Sequence, residues 1–470
     1  MSIQAASHNS TNHKCLCRCV LMLLCSFFCP RVTAEEITIF FTGNELGQLQ
    51  PCGCSGGQLG GFDRRYDVFN AAQPKNRLIL DTGSLVPDSG EQNLIKFQII
   101  IQAFAQLGYD VVNLTEQDTL VVRQSGLVDG INDLFNCITA APADDINLPV
   151  QFTRRFTLKN GTIDVTIAVI DTGDQLPQVG KLLSRSSKDT AVNILIVNRS
   201  DENAIASVSN IAPVLSKVGE LIDCLLIPPQ TDDPKLLSKP GDSPLIISQG
   251  RLGKYVGKIQ VAPEVSPAEL ENYPQKLRLS FSSVTVTEDL PQHQPLVELY
   301  RNYQKLLKEA DLLENYPRFV LPDNLEYVGS KSCKLCHDYE YEKWMNSPPV
   351  ILPGVAKAKN RHSNAFDTLE DIGSDYDPEC VICHVIGMRY ETGFVTPEKT
   401  PQLRDVGCEN CHGPGSEHVR SLGAVETAGP QSSCIECHNP DHSGDYAANE
   451  QQYNEKVVHW RQPKQGTKAK

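Results

Sequence analysis

Four copies of one pattern, Cys-x-x-Cys-His, lie in the C-terminal third of the chain and limit what this region can fold into. The pattern is the attachment signature of c-type haem: two thiols bond to the haem, and the histidine ligates its iron. We therefore expect four covalently bound c-type haems. The attaching cysteines are Cys333, Cys336, Cys380, Cys383, Cys408, Cys411, Cys434 and Cys437. The proximal iron ligands are His337, His384, His412 and His438.

The sequence between these motifs is rich in Gly, Pro, Asp and Ser and poor in apolar residues. A small domain of this composition has too few apolar side chains to form a hydrophobic core by itself. Bound haems, which are large and apolar, supply that core. Zinc held by converging cysteine pairs is the alternative, but it leaves the four following histidines unexplained. We predict a mostly helical or irregular multihaem cytochrome domain over residues 327–460, followed by a disordered tail over residues 461–470.

The second axial ligand of each iron decides whether that haem only transfers electrons or also has an open position. Methionine is scarce in this region, so histidine is the expected second ligand. His418 follows His412 too closely to reach back to the same haem, and we expect it to serve a neighbouring haem. The candidates for the distal position are His362, His418 and His459. The alternative for each of these three histidines is an ordinary solvent-exposed position on the surface. His293 and His442 are expected not to bind iron.

Three segments around the motifs resemble the tetrahaem cytochrome c-554 family: residues 327–344, 377–380 and 407–418. The resemblance covers roughly residues 327–460. It implies closely packed haem pairs, three haems with two histidine ligands each, and one five-coordinate haem. His362 and His418 match distal ligands of the family, and His459 matches less closely. Residues 348–354 interrupt the stretch before His362, where the family runs more directly.

The N-terminal part alternates short runs rich in Ile, Val and Leu with helical stretches, as in an α/β domain with a buried sheet. We place this domain at residues 35–265. A linker at residues 266–326 contains a strand candidate at residues 277–286. It also contains a helix at residues 295–316, which either connects the two domains or is a core helix of the first domain. The strand candidates of the α/β domain are residues 37–41, 77–81, 110–114, 165–171, 193–197, 224–227 and 245–248.

Several sequence blocks in this domain resemble the 5′-nucleotidase branch of the calcineurin-like metallophosphoesterases. The blocks are residues 40–47, 51–65, 80–84, 109–113 and 247–257. The resemblance implies two facing β-sheets flanked by helices, and a two-metal centre held by Asp, His and Asn.

The metal ligands of that family are replaced in this chain. Its Asp-x-His reads Asn44-Glu45-Leu46, Ser84 stands for the bridging Asp, and no histidine occurs between His13 and His293. We expect the metal centre to be lost. A carboxylate site made of Glu45, Glu116 or Asp118 for a hard cation stays open as an alternative.

The remaining cysteines raise a separate question. Cys52 and Cys54, in a Gly-rich loop, are either a redox-active pair or inert loop residues. Cys137 and Cys224 sit in apolar runs and are expected to be buried.

Residues 1–34 are predicted to be a signal peptide, because basic residues precede a short apolar run and small residues follow it. An uncleaved N-terminal anchor is the alternative. The formal net charge of -14 argues against a nucleic-acid partner and favours redox partners with basic surfaces. We expect an exported protein of the periplasm or an equivalent compartment, able to associate peripherally with a membrane-bound electron-transfer complex.

These observations favour an exported multihaem electron carrier whose N-terminal domain is a non-catalytic docking or scaffold module. Two alternatives remain. One is a haem enzyme that acts on a small nitrogen species at a five-coordinate haem. The other is an active metallophosphoesterase fused to a cytochrome.

Overall fold

Two six-stranded β-sheets form the N-terminal part of the computed structural model. The structure describes residues 35–51, 57–127, 130–140, 148–159, 161–172, 175, 179–183, 190–199, 220–239, 243–263, 277–346, 362–428, 434–443 and 446–460.

The first sheet has the strand order β12-β11-β1-β2-β3-β4. Its strands are β1 (Ile37–Thr42), β2 (Arg77–Asp81), β3 (Val111–Asn113), β4 (Asn136–Ile138), β11 (Tyr255–Pro263) and β12 (Leu277–Thr285). Strands β1 to β4 run parallel, and β11 and β12 join antiparallel at one edge.

The second sheet has the order β5-β6-β7-β8-β10-β9. Its strands are β5 (Gln151–Leu158), β6 (Gly161–Ile170), β7 (Ala191–Val197), β8 (Cys224–Ile227), β9 (Lys235–Leu236) and β10 (Leu245–Ser248). Its four central strands run parallel, and β5 and β9 are antiparallel edge strands.

The helices are α1 (Phe62–Asn70), α2 (Glu91–Leu107), α3 (Glu116–Gln124), α4 (Ile131–Leu134), α5 (Val179–Leu182), α6 (Gln294–Glu309), α7 (Ser330–Cys333), α8 (Asp338–Met345), α9 (Ala365–Ile372), α10 (Pro378–Val381), α11 (Cys408–His412), α12 (Ser416–Arg420), α13 (Cys434–Cys437) and α14 (Tyr446–Lys456). Short 3₁₀ turns lie at Pro74–Asn76, Pro322–Asn324 and Pro401–Leu403. No helix in the described ranges is long and apolar enough to span a bilayer.

The two sheets face each other across an apolar core, and the alternation of side chains along β1 shows why. Ile37, Ile39 and Phe41 point into the core between the sheets, whereas Phe40 points into a second core shared with the helices. The central strands of each sheet are thus buried on both faces, which accounts for their nearly continuous apolar sequences. The predicted α/β two-sheet sandwich, followed by a mostly helical and irregular region, is confirmed.

The segment predicted as a linker contributes to the first domain. Strand β12 pairs with β11 along its whole length, so the first sheet continues past residue 265. Helix α6 packs Leu296, Leu299 and Tyr303 into the core that α1 and α2 share. The helix ends at Glu309 rather than at residue 316, since the backbone of Asp311 is left-handed with φ 52°.

Candidate haem-binding sites

Each Cys-x-x-Cys-His motif forms a helical turn. The backbone N–H of His337 donates to the carbonyl of Cys333 at 2.9 Å, and that of His438 donates to Cys434 at 2.7 Å. This i to i−4 bonding places the first cysteine and the histidine on one face of the turn. One flat group attached to the cysteines can therefore also meet the histidine.

Three pairs of histidine rings lie at nearly the same separation. The ring centroids of His337 and His418 are 6.0 Å apart, those of His362 and His438 are 6.1 Å apart, and those of His412 and His459 are 6.2 Å apart. An imidazole nitrogen sits about 2 Å from a metal, so two imidazoles on opposite sides of one ion have centroids roughly 6 Å apart. The residues present therefore fit an iron with two axial histidines at three motifs.

Every pair joins one motif histidine to one distal candidate from another part of the chain. His418, in the short helix α12 that follows the third motif, faces the histidine of the first motif. His362 faces the fourth motif, and His459 faces the third. Residues 348–354, which interrupt the stretch before His362, lie outside the described residues.

Hydrogen bonds at Nδ1 orient four of the motif and distal-candidate histidines. Nδ1 of His384 lies 2.6 Å from the carbonyl of Ala365, and Nδ1 of His418 lies 2.7 Å from that of Val425. Nδ1 of His438 contacts the hydroxyl of Ser443, and Nδ1 of His459 contacts the carbonyl of Val457. Such bonds fix the tautomer and direct Nε2 towards a metal.

Burial lowers the pKa of two motif histidines, His384 and His412. Desolvation disfavours the imidazolium, and neighbouring histidines act in the same direction. The neutral imidazole, which is the form that ligates a metal, is thereby favoured.

The motif thiols bring the four motifs together as two pairs. The Cys333 thiol lies close to that of Cys408, and the Cys383 thiol lies close to that of Cys437. The first motif therefore adjoins the third, and the second adjoins the fourth. Groups attached to these cysteines are close neighbours.

Trp344 on α8 is a site residue for which the sequence patterns predicted no role. Its ring stacks on His362 with centroids 5.2 Å apart and meets His459 edge-on at 5.5 Å. Its Nε1 donates to the carbonyl of Val406 at 3.1 Å, which anchors the ring. The one available signal was its position within the segment that resembles the cytochrome family.

His293 and His442 belong to none of the three ring pairs, and His442 lies near His384. The His293 ring stacks on Tyr66 with centroids 3.8 Å apart, within the N-terminal domain. Nδ1 of His442 lies 2.8 Å from Oδ1 of Asn439.

The alternative prediction of a carboxylate cation site in the N-terminal domain is wrong, because its three acids do not converge. Glu45 makes two 2.6 Å bonds to the guanidinium of Arg65, and both side chains are fully buried. Glu116 is exposed and pairs with Arg199.

The third acid, Asp118, belongs to the capping box at the start of α3, in which Thr115 is the N-cap. Its carboxylate accepts the backbone N–H groups of Ser84 and Leu85, each at 2.8 Å, and bonds Thr115. No group of three or more His, Cys, Asp or Glu in the described part of the chain is placed to hold a metal. The residues present therefore do not fit the two-metal centre.

The remaining cysteines divide into two sets. Cys137 and Cys224 are buried in strands, as expected, and burial raises the pKa of Cys137 to about 12 and that of Cys224 further. Such thiols are inert. Cys52 and Cys54 lie outside the described residues, as do residues 1–34 and 461–470.

Comparison with known proteins finds a family and a relative that match the C-terminal region. Residues 332–413 match the family model described as cytochrome c554 and c-prime. Cytochrome c-554 of Nitrosomonas europaea is 32% identical over 112 residues, which is 22% of this chain and 46% of that protein. The chain thus spans about half the length of the relative it matches. The predicted resemblance is confirmed, and it indicates c-type haem iron as the cofactor.

Solved structures align with the N-terminal part. A calcineurin-like phosphoesterase, YfkN of Bacillus subtilis, aligns at 13% identity and a TM-score of 0.42, covering 59% of this chain and 99% of that one. A 5′-nucleotidase precursor of Thermus thermophilus aligns at 14% identity and a TM-score of 0.41, covering 61% of each chain. These are proteins of the kind that the N-terminal sequence blocks resemble.

Proposed function

We propose that the chain is an exported multihaem c-type cytochrome that transfers electrons through four covalently bound haems. The observation that carries the proposal is the set of three histidine pairs with centroids 6.0, 6.1 and 6.2 Å apart, each containing a Cys-x-x-Cys-His histidine. When bound, haem iron supplies one-electron chemistry at a potential set by its axial ligands.

The arrangement of the motifs supports transfer between neighbouring haems. The two thiol contacts join the first motif to the third and the second to the fourth. Trp344 touches distal candidates of the third and fourth motifs, so it links the two motif pairs. The chain thereby holds its attachment sites as one cluster.

The N-terminal domain serves this carrier as a non-catalytic docking or scaffold module. Support comes from Glu45 and Asp118, whose carboxylates are bonded within the domain. The charge of -14 favours redox partners with basic surfaces over nucleic acid, and allows peripheral association with a membrane-bound electron-transfer complex. Phosphatase activity with Mn²⁺ that is lost in Glu45→Gln and Glu116→Gln would overturn this assignment.

Export to the periplasm or an equivalent compartment is supported by two sequence features. Residues 1–34 have the basic, apolar and small-residue order of a signal peptide. Covalent haem attachment to Cys-x-x-Cys-His is also completed outside the cytoplasmic membrane. Mass spectrometry of the N-terminus of exported protein tests this step, and a chain retained whole in the cytoplasm contradicts it.

The haem content is the direct test of the carrier. Pyridine haemochrome absorbance of the purified holo-protein should give four haems per chain. Ferric EPR should show low-spin signals from haems with two histidine ligands. Two or fewer haems per chain, or high-spin signals alone, would refute the proposal.

A second function is the reaction of a small nitrogen species at an open haem. Its support is the resemblance to the cytochrome c-554 family, which implies one five-coordinate haem. The three ring pairs use His362, His418 and His459, and His442 lies near His384 of the second motif. A high-spin ferric signal that changes with nitric oxide or cyanide supports this function, and a purely low-spin spectrum excludes it.

A further inference from the structure

The N-terminal domain contacts the chain immediately before the second haem motif. Asp377, which is 5% exposed, accepts hydrogen bonds from Gln92 Nε2 at 2.9 Å and from the Tyr303 hydroxyl at 3.0 Å. Gln92 also donates to the Tyr303 oxygen at 2.9 Å, so the three side chains close a triangle. Asp377 in turn caps α10 by accepting the N–H of Glu379 at 3.0 Å.

A charged contact lies two residues further along. Nζ of Lys96 is 2.6 Å from both carboxylate oxygens of Glu379. The Lys96 side chain is 6% exposed and that of Glu379 is 57% exposed. A buried ammonium is costly without a nearby anion, so the pair favours this placement of Glu379. Glu379 directly precedes Cys380, the first attachment cysteine of the second motif.

The groups that contact this segment are themselves rigidly placed. Gln92 and Lys96 are four residues apart on α2 and therefore lie on one face of that helix. Tyr303 belongs to the apolar face of α6. Both helices pack in the core of the first domain, whereas α10 is four residues long and depends on outside contacts.

A second contact reaches the loop after the fourth motif, the one paired with the second. Lys254 Nζ lies 2.9 Å from a carboxylate oxygen of Asp441, and Gln58 donates to the carbonyl of His442 at 3.3 Å. The contacts from the N-terminal domain thus converge on the same motif pair.

We propose that the N-terminal domain positions the second haem-binding motif and sets the reduction potential of its haem through the Lys96–Glu379 pair. Tyr303 and Gln92 are positioning residues in this scheme, and they act through Asp377. The inference rests on the proposed function in one respect: the second motif must carry haem. Charge and hydrogen bonding around a haem are established determinants of its potential.

The sign of the effect follows from charge. Removing the Lys96 ammonium leaves the Glu379 carboxylate uncompensated one residue before the attachment cysteine Cys380, which favours the more positive, oxidised iron and lowers its potential. Removing the Glu379 charge leaves the ammonium and raises the potential. Removing both charges returns the potential towards that of the wild type.

Spectroelectrochemical titration of the holo-protein resolves the midpoints of the four haems. In Lys96→Met we expect one midpoint to fall, in Glu379→Gln one to rise, and in the double variant one to lie between these values. The matched control is Lys75→Met, which breaks an exposed lysine–glutamate pair with Glu35 at 3.0 Å and should move no midpoint.

A neutral variant tests the positioning role separately. Tyr303→Phe removes one hydrogen bond to Asp377 without changing charge, and we expect the ferric EPR signature of one haem to change. Two or fewer haems in the wild-type chain would refute the proposed function instead. With four haems present, unchanged midpoints in both charge variants, or shifts of the same sign in both, would overturn the inference.

Discussion

Deleting a distal histidine should convert one haem from low to high spin. The best-defined case is His418→Ala, because the His418 ring faces His337 at 6.0 Å and its Nδ1 is held by Val425. An alanine cannot ligate iron, so the haem of the first motif keeps one protein ligand. The covalent thioether bonds and the proximal histidine are untouched, so the haem itself stays attached.

The size of the change follows from the ring pairs. His418→Ala leaves two of the three ring pairs, so one more haem in four should be high-spin than in the wild type. Whatever the starting value, each distal deletion adds one high-spin haem per chain.

Spin integration of the ferric EPR spectrum measures this share, and pyridine haemochrome absorbance confirms that four haems remain. The control is His293→Ala, which removes a ring stacked on Tyr66 in the other domain and should leave the share unchanged. The reasoning is refuted if His418→Ala keeps all four haems and the wild-type share of high-spin iron.

Three further outcomes are expected. Arg65→Met strands the buried Glu45 carboxylate and should lower the free energy of unfolding by about 3–5 kcal/mol in urea titrations; a loss below about 1 kcal/mol would contradict it. Burial, with Glu45 nearby, raises the pKa of Asp81, so its contribution to stability is present below about pH 3.9 and is lost as pH rises through the folded pKa. The stability of Asp81→Asn relative to wild type should therefore increase as the pH rises above about pH 4, and a decrease would refute the assignment. Trp344→Ala should alter two low-spin EPR signals together, since the ring contacts two distal candidates, and a change in none would exclude this role.

Much of the α/β domain could be predicted because its strands are short apolar runs. The predicted strand at residues 193–197 lies within β7, and that at residues 37–41 within β1. The strand β5 was missed, since its polar and apolar residues alternate along an edge with one exposed face. Strand β12 was recognised as a strand but not as part of the sheet, because its partner β11 is fixed only by tertiary pairing.

The candidate haem-binding sites could likewise be predicted only in part from the sequence. Local spacing identifies each motif, since the cysteines and the histidine belong to one helical turn. Sequence spacing does not show which distal histidine faces which motif, because residues such as His362 and His438 are brought together only by the tertiary fold of the domain. Nor could it tell that Glu45 would pair with Arg65 rather than with a cation, which depends on the burial of both side chains.

Polar groups of the N-terminal domain lie at two places, and they have different kinds of partner at each. Towards the positions of the implied metal centre, Asn44 donates to Gln249 at 3.0 Å and Asp118 is bonded to backbone N–H groups, so these groups satisfy one another. Towards the haem-binding region, Lys96 and Tyr303 instead reach side chains outside the domain. Buried polar groups are retained where they gain partners, and here those partners directly precede the second motif. This contrast supports the proposal that the domain acts on the haem-binding region through its interface.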